Sequence, residues 1–258
     1  EKTNHKFSQS TPDPKMKNEY TRKEVKKMCS TPAQAAAKIQ AAQAITFLTG
    51  AGVSTASGIP DYRSLNGVYH DLEAPEYLLS RDCLEAEPKK FYDFVLRLYH
   101  PKAQPNVIHQ KIAELEKTKS VWTVSQNIDG LHQKAGSRHL VNFHGSLYHC
   151  QCRKCGKSVP WQEYLKSDRH AGCGGQLRPE IVLYGEGFSQ SVLDQAVMAV
   201  AQGDLIVIVG TSFQVHPFCD LIHYATTDQI MAINQTDLSL PVPFDMVQCS
   251  GEEVFSLL

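Results

Sequence analysis

Five short apolar runs rich in β-branched residues are separated by segments of helical period, and this alternation constrains the fold more than any other feature of the chain. The runs are AITFL (44–48), VWTVS (121–125), LVNFH (140–144), LIVIVG (205–210) and IMAIN (230–234). Helical patterns lie between them, as in VIHQKIAELEK (107–117) and SVLDQAVMAVAQ (191–202). A further helix is expected at TPAQAAAKIQAA (31–42), which begins with a capping Thr and a Pro. Strands apolar throughout, alternating with helices, predict an α/β fold: a parallel sheet with helices on both faces.

Ligands of such sheets gather outside the carboxyl ends of the strands. The residues after each run are therefore informative. They read GAGVSTASGIPDYRS after the first, then QNIDGLH, HGS, TSFQVHP and finally NQ. Each run ends in small or polar residues suited to binding, and this convergence outweighs any single motif.

At 258 residues the chain has material for one sizeable core, or one large domain with a small appendage. A formal charge of −1 gives no electrostatic case for nucleic acid or a membrane surface, and direct binding to either is not expected. No apolar run has the length of a membrane span or the form of a secretory signal, so a cytoplasmic protein is expected. Residues 1–28, lysine-rich and polar, read as a flexible tail.

Of eight cysteines, Cys29, Cys83, Cys219 and Cys249 are scattered, whereas Cys150, Cys152, Cys155 and Cys173 lie close in sequence. That suggests reduced thiols and one local metal site. Cys152-x-x-Cys155 followed by His170-x-x-Cys173 is near the double-knuckle spacing of structural zinc, with one cysteine replaced by histidine. Cys150 is a possible substitute ligand.

The strand-end residues have competing readings when taken singly. Gly50 and Gly52 let backbone approach a pyrophosphate, but small-residue turns are common after a first strand. Arg63 either supplies charge to a phosphate or pairs with Asp61. Asn127 and Asp129 either meet a ligand at the crevice rim or form an Asx-turn. His144 suits a general base for a sugar hydroxyl, while His109, inside a helical pattern, illustrates a structural histidine.

Together these residues resemble the sirtuin (Sir2-like) family of NAD-dependent protein deacylases, bacterial type. GAGVSTASGIPDYRS, QNIDGLHQKAGS and HGS resemble its three signatures, and RPEIVLYGE, GTSFQV-x-P and IN follow in order. The resemblance runs from about residue 45 to the C-terminus. It implies a Rossmann-like NAD-binding domain from residues 29–64, 105–147 and 181–258. A helical insertion (65–104) and a zinc-binding module (148–180) would form the small domain, with NAD and acyl-lysine meeting in the cleft between the two.

The resemblance also implies roles. Gly50, Ala51, Gly52, Thr55 and Arg63 would serve the pyrophosphate and ribose side of NAD, with Ile59, Tyr62, Asn127, Ile128 and Asp129 around nicotinamide. Gln126 would orient the reacting ribose, and Gly210, Thr211, Ser212, Asn234 and Cys249 would serve the adenosine half. His144 would take a proton from a ribose hydroxyl, so that nicotinamide, O-acetyl-ADP-ribose and free lysine leave. A substrate peptide would add as a strand between Leu183, Tyr184, Gly185 and Glu186 on one side and Gln214, Val215 and Pro217 on the other. Zinc at Cys152, Cys155, His170 and Cys173 would be structural.

Three positions depart from the family pattern. Tyr62 stands in place of Phe, and His170 in place of Cys. Members that prefer succinyl or malonyl groups carry Tyr and Arg three apart in the helical insertion; here Tyr92 is followed at that distance by Val95, which favours acetyl or longer apolar chains. The alternatives on the same scaffold are protein ADP-ribosyl transfer, NAD hydrolysis, and a non-enzymatic NAD sensor. The presence of His144 with Gln126, Asn127 and Asp129 speaks for the deacetylase.

Overall fold

The computed structural model describes residues 27–61 and 75–258. Most of the expected tail, residues 1–26, therefore lies outside the described residues, as do residues 65–74 of the helical insertion.

Seven strands form one parallel sheet: β1 (Lys27–Cys29), β2 (Ala44–Thr49), β3 (Ser120–Ser125), β4 (Leu140–Asn142), β8 (Leu205–Val209), β9 (Ile230–Asn234) and β10 (Phe244–Gln248). Their spatial order is β1-β10-β9-β8-β2-β3-β4, so the sheet winds in both directions from β2. Three further strands, β5 (Gly145–Cys152), β6 (Ser158–Pro160) and β7 (Leu177–Ile181), make an antiparallel sheet in the order β6-β5-β7.

The central strands are buried on both faces: every residue of β8 is buried, as are Ile45 to Thr49 of β2. Helices α1 (Pro32–Ala41), α5 (Val107–Leu115) and α9 (Gly251–Phe255) cover one face, where Phe47, Ile39, Ile112 and Phe255 pack together. Helix α8 (Gln190–Gln202) and a 3-10 segment at Cys219–Tyr224 cover the other, around Leu48, Phe143, Ala199 and Phe218. A third core lies against the antiparallel sheet. It combines α2 (Pro75–Leu78), α3 (Arg81–Ala86) and α4 (Pro88–Arg97) with α7 (Trp161–Tyr164), through Phe91, Val95, Leu147 and Tyr164.

Local chemistry sets these elements. Thr31 and Gln34 form a reciprocal capping box at the start of α1, with Pro32 in its first turn. Ser250 and Glu253 do the same for α9. The expected helices at 107–117 and 191–202 are α5 and α8, and all five expected strands are present, the run LVNFH leaving the sheet after Asn142.

Two strands of the large sheet escaped the sequence reading, as did the three of the small antiparallel sheet. β10 carries Asp245 as its second residue, which interrupts the apolar pattern; that carboxylate is buried and binds Lys38 of α1 and the hydroxyl of Ser30, the latter at 2.6 Å. β1 is three exposed residues pairing with Phe244–Met246, so Lys27 and Met28 belong to the sheet edge and not to a flexible tail.

Candidate active site

Because all seven strands of the large sheet are parallel, their carboxyl ends form one crest, and register aligns it. Thr49 pairs with Ser125 and Val209, Ser125 with Asn142, and Val209 with Ile233. Gly50, Gln126, Phe143, Gly210 and Asn234 thus stand at or just past a common line. Most of the residues expected to hold NAD lie there. Tyr62 and Arg63 fall outside the described residues.

The glycines of the first loop have a use that sequence reasoning missed. A Cβ on Gly50 would lie 2.6 Å from Cβ of Thr211, and one on Gly52 would lie 2.8 Å from Cα of Gly210. The N–H of Gly52 donates to the carbonyl of Gly210 at 2.8 Å. Gly210 itself has φ 63°, and a Cβ there would meet the backbone N of Val53 at 2.5 Å. These glycines let the β2 loop seat directly on the β8 loop, which aims the following backbone at the crevice. Val53 and Ser54 are buried, whereas Thr55 is exposed with its hydroxyl donating to the Gly52 carbonyl at 3.0 Å. Gly58, at φ 81°, ends the second 3-10 turn before Ile59, which is half-buried.

The β3 loop is tied to both neighbours. Nε2 of Gln126 donates to Oγ1 of Thr211 at 2.9 Å. Nδ2 of Asn127 donates to the Gly50 carbonyl and to Oγ of Ser54, each at 3.1 Å. Ser54 in turn donates to Oδ2 of Asp129 at 2.7 Å, and Oδ1 of Asp129 accepts from the N–H of Leu131 at 2.9 Å. The Asx-turn reading of this segment is thus present in the structure alongside its place on the rim. Burial raises the Asp129 pKa, and the bonds from Leu131 and Ser54 counter that effect.

Beneath these residues runs a buried polar layer with little sequence signal. Thr49 donates to Ser125 at 2.9 Å and contacts Nε2 of His132 at 3.1 Å. His132 stands edge-on to His109, ring centroids 4.8 Å apart, and His109 reaches Ser54 at 3.5 Å. Both rings are buried. Burial pushes the pKa of His109 down to about 4 and that of His132 well below its usual value, so both are neutral. His109 is therefore structural, as its helical setting suggested, yet it supports the floor of the site.

His144 projects past the end of β4. Its Nδ1 lies 3.1 Å from the carbonyl oxygen of Gln126, which only accepts, so Nδ1 carries the proton and Nε2 is the free basic nitrogen. Phe143, Phe188 and Phe218 surround the ring, with centroids 5.5, 5.8 and 6.4 Å away. Burial lowers its pKa, against the smaller opposing effect of the Gln126 carbonyl. The imidazole is held neutral and oriented, as a general base requires.

Farther along the crest, Oγ of Ser212 is enclosed without a partner among the described residues. Asn234 folds its amide onto Thr236, and Cys249 is half-buried just past β10 with its thiol pKa pushed up by burial to about 11. A crest of close-packed glycine loops, an unsatisfied hydroxyl and a neutral thiol suits an uncharged or anionic ligand stretched across several strand ends.

On the side of β7, Arg178 grips the Glu186 carboxylate with two nitrogens, at 2.6 and 3.1 Å, and Glu186 accepts from the N–H of Leu183 at 3.0 Å. Burial opposes ionisation of Glu186, but the guanidinium prevails and holds its pKa low. Leu183 is buried, while the backbone of Tyr184 bonds both Leu79 and Arg81 at 2.9–3.0 Å. In the segment after β8, Gln214 is exposed, and the Val215 carbonyl accepts from the N–H of Cys219 at 3.0 Å. In the helical insertion Val95 is fully buried and the Tyr92 hydroxyl donates to the Tyr164 carbonyl at 2.8 Å.

The ligand atoms of Cys152, Cys155, His170 and Cys173 lie within 4.8 Å of one another. The sulfurs of Cys152 and Cys173 are 3.5 Å apart, and Nδ1 of His170 is 3.4 Å from Cys155 and 3.2 Å from Cys173. Burial would raise the Cys152 thiol, but backbone N–H groups of Cys155 and Lys154 and neighbouring thiols lower it to about 6, which favours the thiolate that metals bind. The set fits a structural zinc, with four donors and no open position. Cys150 is not among them: its sulfur is buried in the third core, 3.6 Å from the Tyr99 hydroxyl. The donor that stands with the three cysteines is His170.

Comparison with known proteins agrees with this geometry. The Sir2 family model matches residues 50–217. An NAD-dependent protein deacetylase of Enterococcus faecalis is 62% identical over 229 residues, covering 88% of this chain and 97% of its own. One from Listeria monocytogenes serotype 4b is 56% identical over 220 residues, covering 84% and 96%. Among solved structures, a Sir2 homolog–NAD complex superposes with TM-score 0.76 at 30% identity, over 89% of this chain and 93% of that one. A Sir2 variant with a deacetylated p53 peptide and 3'-O-acetyl-ADP-ribose superposes with TM-score 0.77 at 26% identity, over 88% and 96%.

Proposed function

Because this chain belongs to the Sir2 family, we propose that the crest of its large sheet carries out the reaction, with His144 as general base. The chain is an NAD-dependent protein deacetylase, the activity that names its relatives at 62% and 56% identity. NAD, when bound, supplies an ADP-ribose that accepts the acyl group as nicotinamide departs.

The observation that carries the assignment is the single hydrogen bond from His144 to the Gln126 carbonyl. It fixes the tautomer, leaving Nε2 to remove a proton from a sugar hydroxyl. The carboxamide of Asn127 spends its N–H groups on Gly50 and Ser54, which leaves its oxygen to accept from a ligand. Asp129, braced by Ser54 and Leu131, is assigned to accept from the nicotinamide amide. Ile59 and Ile128 supply apolar wall, to which Tyr62 and Arg63 are assigned from the sequence. Gly50, Ala51, Gly52 and Thr55 are assigned to the pyrophosphate. Gly210, Thr211, Ser212, Asn234 and Cys249 are assigned to the adenosine half.

Acyl-lysine proteins are the substrates, and the peptide is assigned to the cleft between Gln214–Val215 and Leu183–Glu186. The backbone of Tyr184 is already paired, so on that wall Gly185 is the residue best able to bond an added strand, with the Tyr184 ring flanking it. The buried, uncharged Val95 supports acetyl or longer apolar chains over succinyl or malonyl. Eight free cysteines support a cytoplasmic setting, and no helix among the described residues is long and apolar enough to cross a membrane.

The test is to mix the protein with NAD and an acetyl-lysine peptide and identify products by mass. Acetyl-ADP-ribose and free-lysine peptide are expected, and His144→Ala should slow their formation by about 10²–10⁴-fold without changing the melting temperature. ADP-ribosylated protein, or ADP-ribose released without peptide, would overturn the assignment.

A further inference from the structure

The turn that follows the β8 loop carries a second set of metal-ligating side chains, which the reaction leaves unused. His216, Cys219 and Asp220 bring an imidazole nitrogen, a thiol and a carboxylate oxygen to within 4.8 Å of one another. Nδ1 of His216 lies 2.8 Å from Oδ2 of Asp220 and 3.4 Å from Sγ of Cys219.

A nucleophilic triad divides the imidazole, one ring nitrogen facing the carboxylate and the other the nucleophile. Here both partners converge on the same nitrogen. That is the arrangement of donors around a shared centre, not of a proton relay. Zinc bound tetrahedrally at about 2.0–2.3 Å sets its donors about 3.3–3.7 Å apart. The sulfur–nitrogen separation already meets this, and it equals the 3.4 Å between Cys155 and His170 in the four-ligand set. The shorter contact to Asp220 is a hydrogen bond that a metal would replace.

The three donors sit on a firm base. Phe218 is fully buried and Leu221 and Ile222 nearly so, which fixes the turn from beneath. Two of the donors face outward, with the His216 side chain 74% exposed and that of Asp220 48%, while Cys219 is half-buried against the core below them. Imidazole and thiol select zinc or copper over magnesium or calcium. Three donors, unlike four, leave a coordination position open.

We propose that His216, Cys219 and Asp220 form a second, open site for a divalent transition metal of the zinc class, and that its occupation obstructs the adjoining peptide edge. His216 directly follows Gln214 and Val215, so an ion held there stands beside the strand position assigned to substrate. The binding of metal rests on the geometry of the turn; its effect on peptide rests on the deacetylase reading given above. Binding exchanges the thiol proton of Cys219 for the metal.

Equilibrium dialysis of the full chain against zinc alone, followed by metal analysis, tests the site. Two equivalents per chain are expected, falling to one in Cys219→Ser, in His216→Ala and in Asp220→Asn. One equivalent in the unaltered protein, or two retained in all three variants, overturns the site. In steady-state assays the second equivalent should raise the KM for acetyl-lysine peptide several-fold and leave that for NAD unchanged, and Cys219→Ser should abolish this response. An unchanged peptide KM with two ions bound overturns the obstruction. A protein that binds two ions and deacetylates nothing overturns the proposed reaction while leaving the metal site standing.

Discussion

The crest of the large sheet and the four-ligand module hold their key atoms equally close, but by different physics. At the crest, position follows from seven strands in parallel register, with apolar cores on both faces and a buried layer of hydroxyls and imidazoles under the loops. In the module, β6 is largely exposed, Cys155 is exposed, and three of the four ligands, Cys155, His170 and Cys173, come from two loops, with Cys152 at the buried end of β5. Burial organises the first region, and coordination organises the second. A site whose geometry comes from packing survives loss of its ligand, whereas one whose geometry comes from a metal does not.

The sharpest way to break this contrast is to take the metal away. Structural zinc contributes about 10–16 kcal/mol of folding free energy in small zinc peptides, and the loops 153–157 and 166–176 that carry Cys155, His170 and Cys173 bury no large apolar side chain of their own to replace it. Cys155→Ser, or chelation, should unfold the module and abolish deacetylation while the parallel sheet remains intact. Hydrogen exchange resolved by segment checks it: fast exchange confined to the module and its neighbours is expected. Uniform loss of protection across β2, β3 and β8 would show that the two regions are one cooperative unit.

The next effect belongs to the crest and comes from pH. His109 has a folded pKa of about 4 because it is buried, against about 6.5 unfolded. Between those values the unfolded chain binds the proton and the folded one does not, so stability rises with pH across that window. The stability present above pH about 6.5 should fall by about 3 kcal/mol as pH drops to about 4. His132, shifted in the same direction, steepens the loss. Urea denaturation at stepped pH measures the slope, and His109→Gln should flatten it; an unchanged slope would mean that His109 is not the titrating group.

A smaller effect should come from Gly52→Ala. Its Cβ meets backbone of Gly210 at 2.8 Å, which no rotamer relieves. Separating the two loops should cost about 1–3 kcal/mol and weaken NAD binding, while zinc content stays whole. Thermal melting and calorimetric titration with NAD read both quantities.

How far these features were legible in the sequence depended on whether their physics was local. Apolar runs alternating with helical segments announced the parallel sheet, and polar residues after each run announced the crest, because strand direction places successive ends together. Cys152, Cys155, His170 and Cys173 were legible because ligand spacing is a local pattern. The pairing of Gly52 with Gly210 was not, since 158 residues separate the two and only the sheet order brings them together. Nor was the Ser54–His109–His132 layer, whose members sit in three different elements. β10 was hidden by Asp245, a charge that reads as surface until Ser30 and Lys38 are seen to meet it.

The smallest expected effect separates the two regions at a single residue. Cys150 lies two positions from a zinc ligand, and spacing alone left it a candidate for the fourth place. Its sulfur instead packs against Tyr99 in the apolar core of the small unit, 3.6 Å from the hydroxyl and from the Leu147 carbonyl. Cys150→Ala should therefore leave one equivalent of structural zinc in place and cost only the packing of a buried thiol, about 1 kcal/mol. His170→Ala should lose the metal, because three thiolates without the imidazole leave the tetrahedron open. Metal analysis of the two variants, each also carrying Cys219→Ser to exclude the outer site, decides it. Zinc lost from the Cys150 variant and kept in the His170 variant would mean that the strand β5 shifts by two residues to bring Cys150 to the metal, and the contrast between a packed region and a coordinated one would then fail at the place where they join.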